Sequence, residues 1–166
     1  MARFNNVIIV VAACAVALLA VPPLTARDHK HANAQTSSRD APDRSRHRLI
    51  LQVNSNDPAL MNLALNNAAN VAQYYKGRHE DVSIEVVTFG PGLHMLRGDT
   101  SPVKARIETM ALSTPEISFA ACGNTRENMS KAEGKEIPLI PEAKIVASGV
   151  VRAMELQEQG WTYVKP

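Results

Sequence analysis

Hydrophobic and polar positions follow two periods along this chain, and each change of period marks an element. Arg48–Val53 (RLILQV) is a short apolar run and reads as a first strand. Asn54–Pro58 ends it, with Asp57 as a natural helix cap and Pro58 as a natural first helical residue. Met61, Leu65, Ala68, Val71/Ala72 and Tyr75 then recur every three or four positions, which predicts an amphipathic helix stopped by Gly77. Val82–Phe89 is rich in β-branched residues and predicts a second strand, broken by Gly90, Pro91 and Gly92. Leu93–Asp99 reads as a loop or short turn. Ser101-Pro102 opens a second helix with Val103, Ile107, Met110 and Ala111 on one face, closed by Thr114-Pro115.

Ile117, Phe119 and Ala121 alternate along a third strand that ends at Cys122. Asn124 with Glu127 three residues later has the form of a capping box, so a helix is expected to start there. Pro138 and Pro141 punctuate an irregular stretch before a short fourth strand, Lys144–Ala147. Ser148 can cap a last helix through Gln159, with Val150, Val151 and Met154 turned inward. Gly160 ends it, and Trp161–Val164 is a fifth strand. Strands alternating with helices predict an α/β fold: a five-stranded, mostly parallel sheet with helices on both faces.

The N-terminal segment follows a different pattern. Arg3 precedes Val7–Val21, 15 residues without a polar side chain, and Pro22-Pro23 ends the run. A basic start followed by an apolar stretch too short to span a bilayer comfortably is the form of a secretory signal peptide. Cleavage is expected near Ala26 or Ala34, within a 1–34 signal region. An uncleaved N-terminal anchor is the alternative. Residues 35–47 form a polar linker, and the folded domain is expected over 48–166. Either way the domain is exported, and after cleavage it is periplasmic with no stable membrane span.

Composition narrows the picture further. The chain has 166 residues, 45% of them hydrophobic and 20% charged, which fits one globular domain. A cut after Ala34 removes Arg3, Arg27, Lys30 and Asp28 and leaves 15 basic and 15 acidic residues. A balanced charge gives no footprint for nucleic acid. The same cut discards Cys14 and leaves Cys122 as a single thiol, which cannot form an internal disulfide.

In a parallel sheet the strand-to-helix loops gather at the carboxyl edge, where ligands bind. Three loops are expected there: Asn54–Asp57, Gly90–Asp99 and Cys122–Thr125. Cys122 lies between a strand end and a helix start, where free N–H groups and the helix dipole favour thiolate over thiol. Gly123 leaves room for a substrate. A buried, inert cysteine is the competing reading. His94 is a candidate base or thiolate partner, and a plain loop histidine otherwise. Gly90 and Gly92 either form an anion-binding nest or simply end the strand. Asn56, beside Asp57, is a loop candidate whose simpler role is capping, and Asn124 belongs to the loop after the cysteine. Arg97 either binds an anionic partner group or is simply solvated, and the solvated arginine is the default expectation. No dinucleotide fingerprint, phosphate loop, nucleophile elbow or zinc-ligand spacing occurs, so no cofactor and no metal are expected.

The segment Ile117–Thr125 (ISFAACGNT), with Val87–Leu96 (VTFGPGLHML) before it and Gly149–Arg152 (GVVR) and Gln157–Tyr163 (QEQGWTY) after it, resembles the DsrE/DsrF-like (YchN-like) family. The likeness is closest to that family's exported, mostly uncharacterised branch and runs from about Arg48 to Pro166. It implies a five-stranded YchN-like fold assembled as trimers or hexamers. In the family's sulfur-relay members a cysteine at the end of a central strand carries a persulfide and passes sulfur to a partner protein, and Cys122 falls on that position. The expected function is therefore binding or relaying of sulfane sulfur through Cys122, with a sulfur donor or acceptor protein as partner. The alternative is a non-catalytic oligomeric module that binds a small ligand and merely packs its cysteine.

Overall fold

The computed structural model describes residues 46–166. The expected signal region and most of the expected linker lie outside those residues. Ten elements follow in chain order: β1 (Arg46–Val53), α1 (Pro58–Gly77), β2 (Asp81–Thr88), a 3₁₀ segment (Gly90–Leu96), α2 (Lys104–Ser113), β3 (Ile117–Cys122), α3 (Gly123–Glu133), β4 (Ala143–Val146), α4 (Gly149–Glu158) and β5 (Thr162–Val164). The five strands form one sheet in the order β4-β3-β2-β1-β5, and every pairing is parallel. This is the expected five-stranded α/β fold. The first strand starts two residues earlier than its apolar run, because Arg46 and His47 pair with Asp81 and Val82. Among the described residues no helix is long and apolar enough to cross a membrane.

The two faces of the sheet are covered unequally. On one face Leu49, Leu51, Val53, Ile84, Val86, Phe119 and Ala121 pack against Met61, Ala64, Leu65, Ala68 and Ala72 of α1, Ile107 and Met110 of α2, and Val103 just before α2. Asp57 caps α1 by accepting the Ala59 N–H at 2.8 Å, as its sequence position predicts. The stretch after β2 is not a simple loop. It winds into the 3₁₀ segment and sinks Leu93, Met95 and Leu96 fully into this core. Gly92 permits that descent: a Cβ there would stand 2.2 Å from the Val53 carbonyl oxygen.

On the opposite face Ile50, Val87, Ala120 and Leu156 make a much smaller cluster, flanked by Phe89, Val146 and Trp161. Helix α4 lies there, but not on the side expected. Val150, Val151 and Met154 are about half exposed, while Gly149, Ala153 and Leu156 are buried. Two stripes of this helix are apolar, and the more hydrophobic one faces outward. The inward stripe begins with small residues, Gly149 and Ala153, that let the helix approach the sheet closely, and includes Leu156 and Arg152. That arginine bonds both oxygens of buried Glu85, at 2.7 and 2.8 Å.

Arg97 also departs from expectation. Only 1% of it is exposed. Its guanidinium donates to Asp99 Oδ1 at 2.9 Å and Oδ2 at 2.8 Å, and to both oxygens of Glu133. Lys135 adds a bond to Asp99 at 3.1 Å. The arginine thus ties the end of the 3₁₀ segment to the last turn of α3, and pairing is what makes its burial tolerable. Its bonds hold the Asp99 carboxyl well below the usual carboxylate range and lower that of Glu133 as well.

The two carboxylates therefore stabilise the fold above the unfolded carboxylate range of about 4, and that contribution fades as pH falls through it. Arg97→Met is expected to cost on the order of 2 kcal/mol at neutral pH, by removing the partner of two carboxylates. Urea unfolding at pH 7, 5 and 3 checks both points: the wild type should lose more stability on acidification than the variant does.

Candidate functional site

Cys122 is the last residue of β3 and the N-cap of α3. The chain passes from strand to helix with no intervening loop, so the cap position falls on the cysteine itself. Its backbone is extended (φ −66°, ψ 116°), and its Sγ accepts the Thr125 N–H at 3.4 Å. This overturns the expected Asn124–Glu127 capping box. The helix already runs at Gly123, so Asn124 sits in its first turn with its side chain exposed. Its N–H points to the Ala147 carbonyl at 3.2 Å and also reaches Sγ. Glu127 bonds Lys131 instead, an ordinary pair one turn apart.

A second helix start meets the same sulfur. Cys122 lies in register with Val146 of β4, and the chain turns through Ala147 and Ser148 into α4. Ser148 caps α4 by accepting the Val151 N–H at 3.5 Å. Gly149 then comes up against the cysteine, and its N–H favours the charged form of the sulfur. Close approach demands glycine at this point. A Cβ on residue 149 would lie 2.9 Å from the Phe89 ring and 3.3 Å from the Cys122 Cβ.

Thr125 joins the sulfur to a third segment. Its hydroxyl favours the charged form of the sulfur, and its oxygen accepts the Gly90 N–H at 3.0 Å. Gly90 adopts φ +52°, a left-handed conformation that glycine enters without strain. The turn after β2 is thereby pinned to the turn after β3.

The electrostatics follow from this crowding. Cys122 is only 4% exposed, and burial pushes its thiol up. The Thr125 hydroxyl and the N–H groups of Gly149, Thr125 and Asn124 oppose burial and outweigh it, so the net shift is downward. Each donor favours the charged sulfur, and two helix N-termini add their partial positive ends. What the arrangement can do is hold a thiolate, or another sulfur anion of similar size, in a dry and donor-rich niche.

The other expected positions divide. Gly90, Gly123 and Asn124 stand at the thiol's turns. Gly123 packs closely, since a Cβ there would lie 3.1 Å from the Val146 carbonyl oxygen. Gly92 belongs to the packing beneath β1 described above. Asn56 is exposed in the β1–α1 loop and is not among the thiol's donors. His94 bonds Thr100 Oγ1 through Nδ1 at 2.8 Å, and the thiol's hydrogen bonds come from elsewhere. Among the described residues no group of three or more His, Cys, Asp or Glu side chains is placed to hold a metal ion.

Sequence reasoning passed over Gly149 and Thr125. Ser148 before Gly149 is the same strand-turn-cap signal that marked the other loops, and a fourth carboxyl-edge loop follows from it. Spaces beside the thiol are modest. A cleft of about 230 Å³ opens next to Gly123, between Arg126, Ile137 and Ile145. The larger cavity, about 490 Å³, lies around Lys76, His79 and Glu116 at the opposite edge of the sheet. We favour the smaller one as the site's neighbour, because it shares the turn that carries Cys122.

No protein-family model and no curated protein matches this chain. Its fold is similar to the solved structure of MTH1491, a protein of unknown function from Methanobacterium thermoautotrophicum. The TM-score is 0.59 and the sequence identity 28%, over 72% of this chain and 99% of that one. The likeness is one of fold, a five-stranded α/β architecture.

Proposed function

We propose that this protein is an exported DsrE-like sulfur carrier that takes up and passes on sulfane sulfur through Cys122. The observation that carries the reading is the set of donors converging on Sγ from two helix starts and the Thr125 hydroxyl. The resemblance of Ile117–Thr125 and its flanking segments to the DsrE-like family supports it, and so does the α/β fold. The apolar stretch Val7–Val21 behind Arg3 supports export.

The chemistry is thiol–persulfide exchange and needs no external oxidant. The Cys122 thiolate attacks the outer sulfur of a donor persulfide, R–S–SH. A bond forms between Sγ and that sulfur, the donor's S–S bond breaks, and its electron pair leaves on the donor as R–S⁻. Cys122 now carries –S–SH. An acceptor thiolate repeats the exchange on the outer sulfur, and Cys122 leaves as thiolate. The N–H donors that hold the charged sulfur stabilise it both as nucleophile and as leaving group.

The alternative rests on burial. A thiol with 4% exposure fits an interaction module in which Cys122 only packs. Thiol reactivity separates the two. The pH midpoint of iodoacetamide alkylation in the native protein should fall below the free-cysteine value of about 8.5. A thiol that reacts only after denaturation favours the packing role.

Intact mass after incubation with polysulfide tests the carrier directly. A gain of about 32 Da, one sulfur atom, is expected in the wild type and not in Cys122→Ser. Failure of several persulfide donors to give that adduct would sink the reading.

A further inference from the structure

Helix α4 brings Gly149 to the sulfur, yet little apolar packing holds its first turns. It is the helix that packs on its side of the sheet, and its buried apolar side chains are the small Ala153 and, near its far end, Leu156. Val150, Val151 and Met154 are 51%, 49% and 54% exposed, so each leaves about half of its surface outside the packing. What grips the front half is polar. Arg152 donates from Nε to Glu85 Oε1 at 2.7 Å and from Nη2 to Oε2 at 2.8 Å. Glu85 sits on interior strand β2 and is 8% exposed. Three residues separate Arg152 from Gly149, so both lie on one helix face, about 4.5 Å apart along the axis.

We propose that Arg152 is the positioning residue of the Cys122 site: its two-pronged bond to Glu85 fixes the slide and rotation of α4 and so keeps the start of that helix, at Gly149, against Cys122. A fork needs both prongs. Two parallel bonds define a direction as well as a distance, which a single ammonium contact does not. The glycine has no slack of its own, because Phe89 and the Cys122 Cβ border it on the sheet side. A helix freed from Glu85 drifts outward, and the close approach of Gly149 to Cys122 is the first contact to lengthen. The inference rests on the reading of Cys122 as a thiolate site, and it adds what holds that site in register.

The test is the pH profile of iodoacetamide alkylation in Glu85→Gln and Arg152→Lys, without any sulfur donor. Charge and position predict opposite signs in Glu85→Gln. Removal of a negative charge on its own makes a nearby thiol more acidic and speeds alkylation at neutral pH. Loss of the fork withdraws the Gly149 N–H, raises the midpoint and slows alkylation about threefold to tenfold, the effect of one hydrogen bond. Arg152→Lys keeps the charge and should slow alkylation as well. An unchanged or lowered midpoint in both folded variants overturns the proposal.

If Glu85→Gln fails to fold, the lysine variant decides alone, with Arg152→Met paired with Glu85→Leu as a neutral replacement of the whole pair. There too the midpoint must rise. Persulfide formation is scored separately: unmoved midpoints with a normal adduct remove the role of Arg152 only, whereas a missing adduct removes the sulfur reading only.

Discussion

The parallel direction of all five strands is the constraint from which the rest follows. Each strand must return to the same starting edge before the next begins, so every strand-to-helix turn falls on the opposite edge. Helix N-termini gather there, with their free N–H groups and partial positive charge. Two of them, those of α3 and α4, follow neighbouring strands β3 and β4 and point at one spot. The direct passage from β3 into α3 puts a side chain at that spot as a cap, and the side chain is a thiol. A serine or aspartate in a cap position is commonplace. A cysteine there turns a structural role into an electrostatic one.

The two faces of the sheet solve the covering problem by different physics. The broad face is closed by apolar packing from α1, α2 and the 3₁₀ segment, which is strong but indifferent to small displacements. The narrow face has few apolar contacts and relies on one part-buried ion pair between α4 and β2. Buried pairs add little net stability, because desolvation offsets their attraction. They do impose geometry. The face that carries the thiol is the one held by the directional contact.

Much of the fold was legible because local signals agreed with one another. Asp57-Pro58 announced α1, alternation announced β3, and Ser148 announced α4, and each was found in place. The misreadings share a cause. Val150, Val151 and Met154 were assigned inward because hydrophobicity ranks residues without knowing where Glu85 lies. Arg97 was assigned to solvent because its partner Glu133 is 36 residues away. Asn124 was taken as a cap because the pattern reads residue types and cannot tell that the helix starts two positions earlier, with Cys122 as its cap. Gly149 went unnoticed for the same reason: its contact with Cys122 joins two turns distant in sequence. The cysteine's place at the strand end could be read locally, but the donors that surround it could not.

The sheet's borders carry a consequence of their own. Its outermost strands, β4 and β5, are four and three residues long. A foreign strand that approached either border would find only a few rungs of unpaired backbone to bond, flanked by Pro141 and Lys144 on one side and Lys165 on the other. Short, charged borders are how open sheets resist runaway growth into fibrils. The long and strongly apolar strands, β1 to β3, are shielded in the middle of the order. The sequence thus keeps its most adhesive segments inside the strand order, and leaves the borders too brief to nucleate a ribbon.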